Sequence, residues 1–292
     1  MIVITGATGK IGSKIATILI NKGKKVRVVG RSATALEKLQ SQSAEIAVGE
    51  MLGVDFLTQA FSNADALFLM LPPDKDTLDF GALQDEIGRT QIEAIKNSGI
   101  KNIVFLSSQG AHDILHTGTV KGLGRQEIRL NELGAEVNVL SLRPEAFMEN
   151  NIESLKLFST IASPLRPEIS TGLIATEDIA VFAAEQLDKL DFKGKTHQDL
   201  LGDRAYTQTE AAQIIGKAIG RPELDYVQYS YEDYKNKLLS VGMSESRADM
   251  ITERYKAINE GYFNNSVRDE IATTPTSLEY FAATVLKPMF TK

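Results

Sequence analysis

Apolar residues in the first half of the chain come in short, β-branched runs at Ile2–Thr5, Lys25–Val29, Glu45–Val48, Ala66–Leu71, Asn102–Ser107 and Val137–Arg143. Between them the apolar positions shift to helical spacing, as at Ile11–Ile20, Leu36–Leu39 and Leu83–Ile95. Strand runs with little polar alternation suit a sheet covered on both faces, and intervening helices supply both the cover and the crossover. The pattern predicts βαβ units in a doubly wound parallel sheet, an α/β Rossmann-type domain.

Beyond Pro144 the rhythm changes. Pro164 and Pro167 interrupt the chain, and helical spacing returns at Glu177–Leu190, Thr209–Ile219 and Tyr231–Leu239. All eight tyrosines fall at or after Tyr206, and the group Tyr226, Tyr229, Tyr231 and Tyr234 spans a strand-to-helix turn and reads as packing. The division expected is a nucleotide-binding domain over 1–150 and a smaller, mostly helical lobe over 151–292. Part of 171–202 is free to return to the first sheet. In a doubly wound fold such a lobe closes over the reactive end of a bound dinucleotide.

The 292 residues, 43% hydrophobic and 24% charged, suffice for one large or two small domains with a real core. No cysteine occurs, which removes disulfides, thiolate metal sites and thiol nucleophiles and fits a reducing compartment. A net charge of −6 argues against an extended nucleic-acid surface. The longest apolar run at a strand, Ala66–Leu71, falls far short of the ~20 residues of a membrane helix. The first strand begins at Ile2 with no leader pattern before it. A cytoplasmic protein is expected, without direct nucleic-acid or membrane partners. Charge is uneven all the same. Residues 1–50 hold eight Lys/Arg against three acids, which suits a polyanionic ligand, although Lys22–Lys25 reads as solvated surface.

The candidate chemistry starts where the first strand meets the first helix, at Thr5-Gly6-Ala7-Thr8-Gly9-Lys10-Ile11-Gly12. Gly6 permits the tight turn, Gly9 lets backbone approach a pyrophosphate, and Gly12 allows close helix–strand packing. The helix start offers unpaired N–H groups and partial positive charge. Gly6, Thr8, Gly9, Lys10, Ile11 and Gly12 are therefore the candidate pyrophosphate cradle. The second strand ends Val28-Val29-Gly30-Arg31-Ser32, with no acid before Glu37 to hold a ribose 2′-hydroxyl. Arg31 can pair with a 2′-phosphate instead and Ser32 can donate a hydroxyl, so NADP(H) is the expected cofactor. The plainer reading of Arg31 is a surface arginine at a strand end. Glu50, after the third strand, can accept from an adenine amino group or stand in solvent. Leu71 and Pro72, after the fourth, offer main-chain and apolar contacts near the nicotinamide ribose.

The Gly-x-x-Gly-x-x-Gly spacing resembles that of extended and atypical short-chain dehydrogenase/reductases. The familiar members protonate their product with a Tyr whose pKa is lowered by a Lys four residues on. Here no Tyr precedes Tyr206, and the expected helix offers Thr119 and Leu123, or Thr117 and Lys121, at that spacing. A threonine hydroxyl is too weak an acid to replace the tyrosine. The strand ends carry Ser107-Ser108-Gln109-Gly110, His112 and His116, and Arg143-Pro144-Glu145-Ala146-Phe147-Met148-Glu149-Asn150. Together with the opening glycines, and with Thr176-Glu177-Asp178-Ile179-Ala180 and Pro275-Thr276-Ser277-Leu278-Glu279, these resemble the NmrA-like family of atypical short-chain reductases.

That resemblance implies a protein that binds NADP(H) and is either a reductase of quinone- or dye-like acceptors or a redox-sensing regulator with a protein partner. Ser107, Pro144 and Phe147 are the added candidates for the cofactor site. Ser107, Ser108 and His112 are candidates for orienting a small aromatic acceptor, with His112 as proton donor the alternative. Leu71, Pro72, Phe147 and Met148 are expected to line the acceptor pocket, with wall and core the plainer reading of Phe147 and Met148. Related proteins often keep a lysine on the helix after the serines. Gly122-Leu123-Gly124 offers none, which leaves Lys121 or Arg125 as substitutes. Two histidines four apart suggest a metal pair, but no third ligand is evident and no metal is expected. Arg143 reads as a strand-end anchor.

Overall fold

The computed structural model describes residues 1–291. In chain order it begins β1 (Ile2–Ile4), α1 (Gly12–Asn21), β2 (Val26–Gly30), α2 (Ala33–Ser41), β3 (Glu45–Val48), α3 (Val54–Phe61), β4 (Ala66–Leu69), α4 (Phe80–Ser98), β5 (Asn102–Leu106), α5 (Lys121–Asn131) and β6 (Asn138–Pro144). Then follow β7 (Ala146–Phe147), α6 (Asn150–Phe158), β8 (Ile161–Ser163), β9 (Ser170–Ile174), α7 (Thr176–Lys189), β10 (Lys195–Leu200), β11 (Ala205–Thr207), α8 (Gln208–Ala218), β12 (Tyr226–Gln228), α9 (Tyr231–Ser240) and α10 (Glu245–Asn259). Short helical turns close the chain from Leu278 to Phe290.

The main sheet has seven strands in the order β3-β2-β1-β4-β5-β6-β10, all parallel. Alternation along each strand explains why the runs look uniformly apolar in sequence. Ile2, Ile4, Val28, Phe68, Val104 and Leu142 face one core, under α1 and α7. Val3, Val29, Leu67, Leu69, Ile103, Phe105 and Val139 face the other, under α3, α4 and α5. A strand covered on both faces leaves few positions for polar side chains, and those present, such as Ser141 and Arg143 of β6, are exceptions. The predicted doubly wound α/β sheet is the fold observed.

The chain order reverses between β1 and β4, the switch point at which such sheets open a ligand crevice. The run Ala66–Leu71 ends as a strand at Leu69 because Met70 leaves the ladder. Its N–H bonds the Thr5 hydroxyl at 3.1 Å, and that hydroxyl in turn donates to Phe68 O at 3.0 Å. Thr5 is fully buried, so this staple fixes the floor of the crevice.

Beyond the sheet, β11-β9-β7 and β12-β8 form two small sheets, and a third core gathers Met148, Ile152, Tyr206, Ile215, Leu278 and Phe281. Helix α10 lies between this part and the main sheet. Its Ala248, Ile251 and Tyr255 pack toward Tyr234 and Leu238 of α9, and its Ala257 and Ile258 pack toward Ala111, Val120 and Phe263.

Candidate active site

The turn after β1 puts main chain where a dinucleotide phosphate belongs. Gly6 has φ +64°, and a Cβ there would lie 2.8 Å from Met70 Sδ. A Cβ on Gly12 would come within 2.4 Å of Gly6 O, so α1 can approach the turn only without one. Gly9 donates to Gly6 O at 2.9 Å, and Ser13 N–H bonds Gly9 O at 3.1 Å. Among the described residues no acceptor takes the N–H of Lys10, Ile11 or Gly12. Three consecutive free donors at a helix start form an anion cradle of the size and polarity of a pyrophosphate. Thr8 and Lys10 are exposed at its rim, whereas the Ile11 side chain is in the core and can contribute only its backbone.

At the end of β2, Arg31 is exposed and carries no ion pair among the described residues, in contrast to Arg27, which is bound to Glu45 at 2.6 Å. Ser32 caps α2 by accepting from Ala35 N–H at 3.3 Å. Capping uses the oxygen's lone pair and leaves the hydroxyl proton for a ligand. Glu50 is exposed. Leu71 is buried in the core beneath α3 and α4, with half-buried Pro72 above it. These positions follow the ends of β2, β3 and β4 around one edge of the crevice.

Ser107 and Ser108 follow β5, both buried. The Ser107 hydroxyl has no hydrogen-bond partner, an orphaned polar atom beside the crevice. Pro144 ends β6 and accepts from Gln109 N–H at 3.0 Å. Arg143 is the strand anchor expected: its guanidinium grips buried Glu127 of α5 through two bonds, at 3.0 and 2.5 Å. Phe147 is half-buried against the sheet core. Met148 follows the plainer reading: it is fully buried in the third core, while Phe147 packs against the sheet core.

The substitutes for the missing lysine are engaged elsewhere. Lys121 Nζ binds both oxygens of Glu253, at 2.9 and 2.7 Å. Arg125 and Arg129 share Asp85, whose carboxyl they hold below its ordinary range against the opposing effect of burial. His112 is exposed and its Nε2 accepts from the Asn265 side-chain amide at 2.7 Å. His116 pairs with Asp113 at 2.8 Å and stacks on Tyr262 with ring centroids 4.6 Å apart.

One wall of the site is absent from the sequence reading: the segment Phe263–Ser266. The Phe263 ring sits so close to Gly110 that a Cβ on the glycine would be 2.5 Å from it, and Gln109 Nε2 donates to Phe263 O and Ser266 Oγ, each at 2.8 Å. Nothing local in 109–110 or 263–266 announces a partner more than 150 residues away. Beside this wall, burial pushes the Glu145 carboxyl above the usual carboxylate range, only partly offset by the Gly172 N–H, Arg268 and Gln109. The tyrosine hydroxyls of the second half serve packing: burial raises Tyr206, Tyr226 and Tyr234 well above the ordinary phenol value. Among the described residues no cluster of three potential metal ligands occurs.

An anion cradle at a sheet switch point, followed by a covered crevice at the ends of β5 and β6, fits a Rossmann-type nucleotide-binding protein. The NmrA-like family model matches residues 1–282, and the chain belongs to that family. The uncharacterized oxidoreductase YesF of Bacillus subtilis is 29% identical over 97% of this chain and 94% of that protein. An NAD(P)H azoreductase of Xenophilus azovorans is 26% identical over 87% and 86%. Among solved structures, an NADPH-dependent quinone oxidoreductase from Escherichia coli, complexed with NADPH, superposes with a TM-score of 0.82 at 21% identity, covering 98% of this chain and 100% of that one. The Citrobacter sp. triphenylmethane reductase complexed with NADP(H) gives 0.79 at 20% identity, over 97% and 100%. These likenesses establish the fold.

Proposed function

We propose that this protein is an NADP(H)-dependent oxidoreductase that reduces flat, electron-poor aromatic acceptors such as quinones. The observation that carries the reading is the run of three unpaired N–H groups at Lys10, Ile11 and Gly12. It belongs to a crevice in which unpaired Arg31, rather than an acid, stands at the end of β2. The cradle neutralises a pyrophosphate through backbone, and Arg31 with the Ser32 hydroxyl selects the 2′-phosphate. An azoreductase among the relatives agrees with a reductase chemistry.

When bound, NADPH supplies a hydride, and with one proton from solvent this completes the two-electron reduction of a quinone to a hydroquinone. The chain's own residues then have a modest task. They orient the acceptor, exclude bulk water and need no strong acid, since the hydroquinone anion is stabilised by its own ring. Ser107, with its unpartnered hydroxyl, and Ser108 hold the acceptor or the ring that faces it. His112 Nε2 is occupied as an acceptor from Asn265, so His112 lines the mouth rather than donating a proton from that nitrogen. A simple ketone gains nothing comparable, because its alkoxide needs a placed donor worth about 10²–10⁴-fold.

Anaerobic stopped-flow oxidation of NADPH tests the reading with 1,4-naphthoquinone and cyclohexanone as acceptors. Rapid oxidation with the quinone and none with the ketone is expected. Tight NADPH binding with no oxidation by any quinone would replace the enzyme with a redox sensor that acts through a partner. Efficient ketone reduction would reveal a protein acid where none is assigned.

A further inference from the structure

Helix α10 holds an anomaly. Arg247, Met250, Arg254 and Ala257 recur at helical spacing on the face that packs toward the main sheet. Met250 lies about 4 Å from where a Cβ on Gly81 would sit. A Cβ on Gly118 would lie 2.0 Å from Met250 O and 2.7 Å from Arg254 N. Ala257 joins the Ala111–Phe263 cluster. An inward face of this kind is normally apolar, yet two of its four positions are arginines.

Each arginine, half-buried, carries one buried nitrogen without a partner. The Nε atoms of Arg247 and Arg254 are both buried and both lack a hydrogen-bond partner. No carboxylate lies within ion-pair distance of either side chain among the described residues, and the nearest acid on the helix, Glu253, is taken by Lys121. Asp74 and Asp76 favour the charge of Arg247 from a distance, with the Asp74 oxygen already accepting from Asp76 and Thr77 N–H. For Arg254 burial lowers the proton affinity, opposed in part by the neighbouring Tyr255. Each guanidinium instead lies over an aromatic ring, Arg247 5.4 Å from Phe80 and Arg254 5.9 Å from Phe263. Phe263 is the ring that presses on Gly110, two residues past Ser108. Arg254, over the Phe263 ring, is therefore one side chain away from Gly110 and the place where the acceptor is proposed to sit.

A partly enclosed charge without an ion-pair partner costs stability, and the arrangement makes sense if a ligand completes it. We infer that α10 selects acceptors bearing an anionic substituent, with Arg254 as the binding residue and Arg247 at the rim for a sulfonate or carboxylate on the aromatic ring. The assignment rests on the acceptor reading above and narrows it. The planar fork suits two-oxygen recognition of such groups, and the neighbouring Phe263 ring offers a face for a flat substrate.

The test uses redox-inert probes, so that it does not depend on turnover. Calorimetric titration compares naphthalene-2-sulfonate with its neutral isostere naphthalene-2-sulfonamide, with and without NADP⁺. Wild type is expected to bind the sulfonate about tenfold or more tightly than the sulfonamide. Arg254→Gln should erase that preference and Arg247→Gln reduce it, while Arg254→Lys keeps part of it. Arg254→Met should melt above wild type in the absence of ligand, because it removes an unpaired charge and keeps the chain length. Equal binding of the two probes by wild type, or a preference that survives Arg254→Gln, would overturn the inference even if quinones are reduced. A fall in NADPH affinity without a change in probe preference would assign the arginine to the cofactor instead. Failure of every quinone to oxidise NADPH, with the probe preference intact, would instead count against the reductase and leave the anion site standing.

Discussion

The two walls of the crevice are built in different materials. On the nucleotide side the working surface is main chain, contributed by eight consecutive residues from Thr5 to Gly12. On the opposite side it is side chain, gathered from Ser107–Gly110, α10 and Phe263–Ser266. The first wall has almost no freedom, because an added Cβ strikes backbone that cannot yield. The second can exchange side chains while the sheet beneath stays put, so one scaffold can serve different acceptors.

The sharpest way to break this contrast is Gly12→Val. With a Cβ only 2.4 Å from Gly6 O, the turn must open, and we expect NADPH titration to detect no binding and the melting temperature to fall. An unaltered affinity would mean that the rigid wall is not the phosphate site. Phe263→Ala attacks the other wall. It should cost about 3 kcal/mol in urea unfolding by emptying the small cluster around Ala111 and Val120. NADPH affinity should change much less than stability does, and a loss of both in proportion would show the two walls to be one unit. Arg31→Ala is expected to weaken NADPH about tenfold, the value of one charge-assisted contact, and to leave NADH where it was. Equal wild-type affinity for the two cofactors would remove the role given to Arg31.

The smallest effect is expected at Glu145. Burial raises its carboxyl above the ordinary value of 4.5, so the folded protein holds this proton more tightly than the unfolded chain does. Wild type therefore loses stability as pH rises from that ordinary value through the folded one. Glu145→Gln should melt higher than wild type at neutral pH, with the gap closing as pH falls to about 4. A gap of constant size across that range would trace the effect to packing rather than to the charge.

What could be read from the sequence follows the same division. The strands were legible because each must bury both faces, and the phosphate turn because its glycines, strand and helix are contiguous. Apolarity alone leaves Met148 open to wall or core, and only the fold puts it in the third core. Lys121 and Arg125 offered plausible charges, and only the fold reveals Glu253 and Asp85 as their partners. Helix α10 escaped notice since its inward face is broken by Arg247 and Arg254 and its apolar residues serve two different neighbours. Tyr262 is a further case: its place against His116 depends on a fold-back that no local pattern encodes.

The position of β10 has a consequence for how the chain acquires its shape. This strand pairs with β6 from Val139 to Pro144, yet the chain passes through β7, α6, β8, β9 and α7 before reaching it. Helix α7 in turn supplies Ile179, Ala183 and Leu187 to the core beneath the first strands. During synthesis, then, the nucleotide-binding sheet stays open along β6, with half of one core uncovered, until residue 200 has emerged. The growing chain carries an unfinished edge through the fifty residues 145–194, a long-range closure of the kind that makes folding slow.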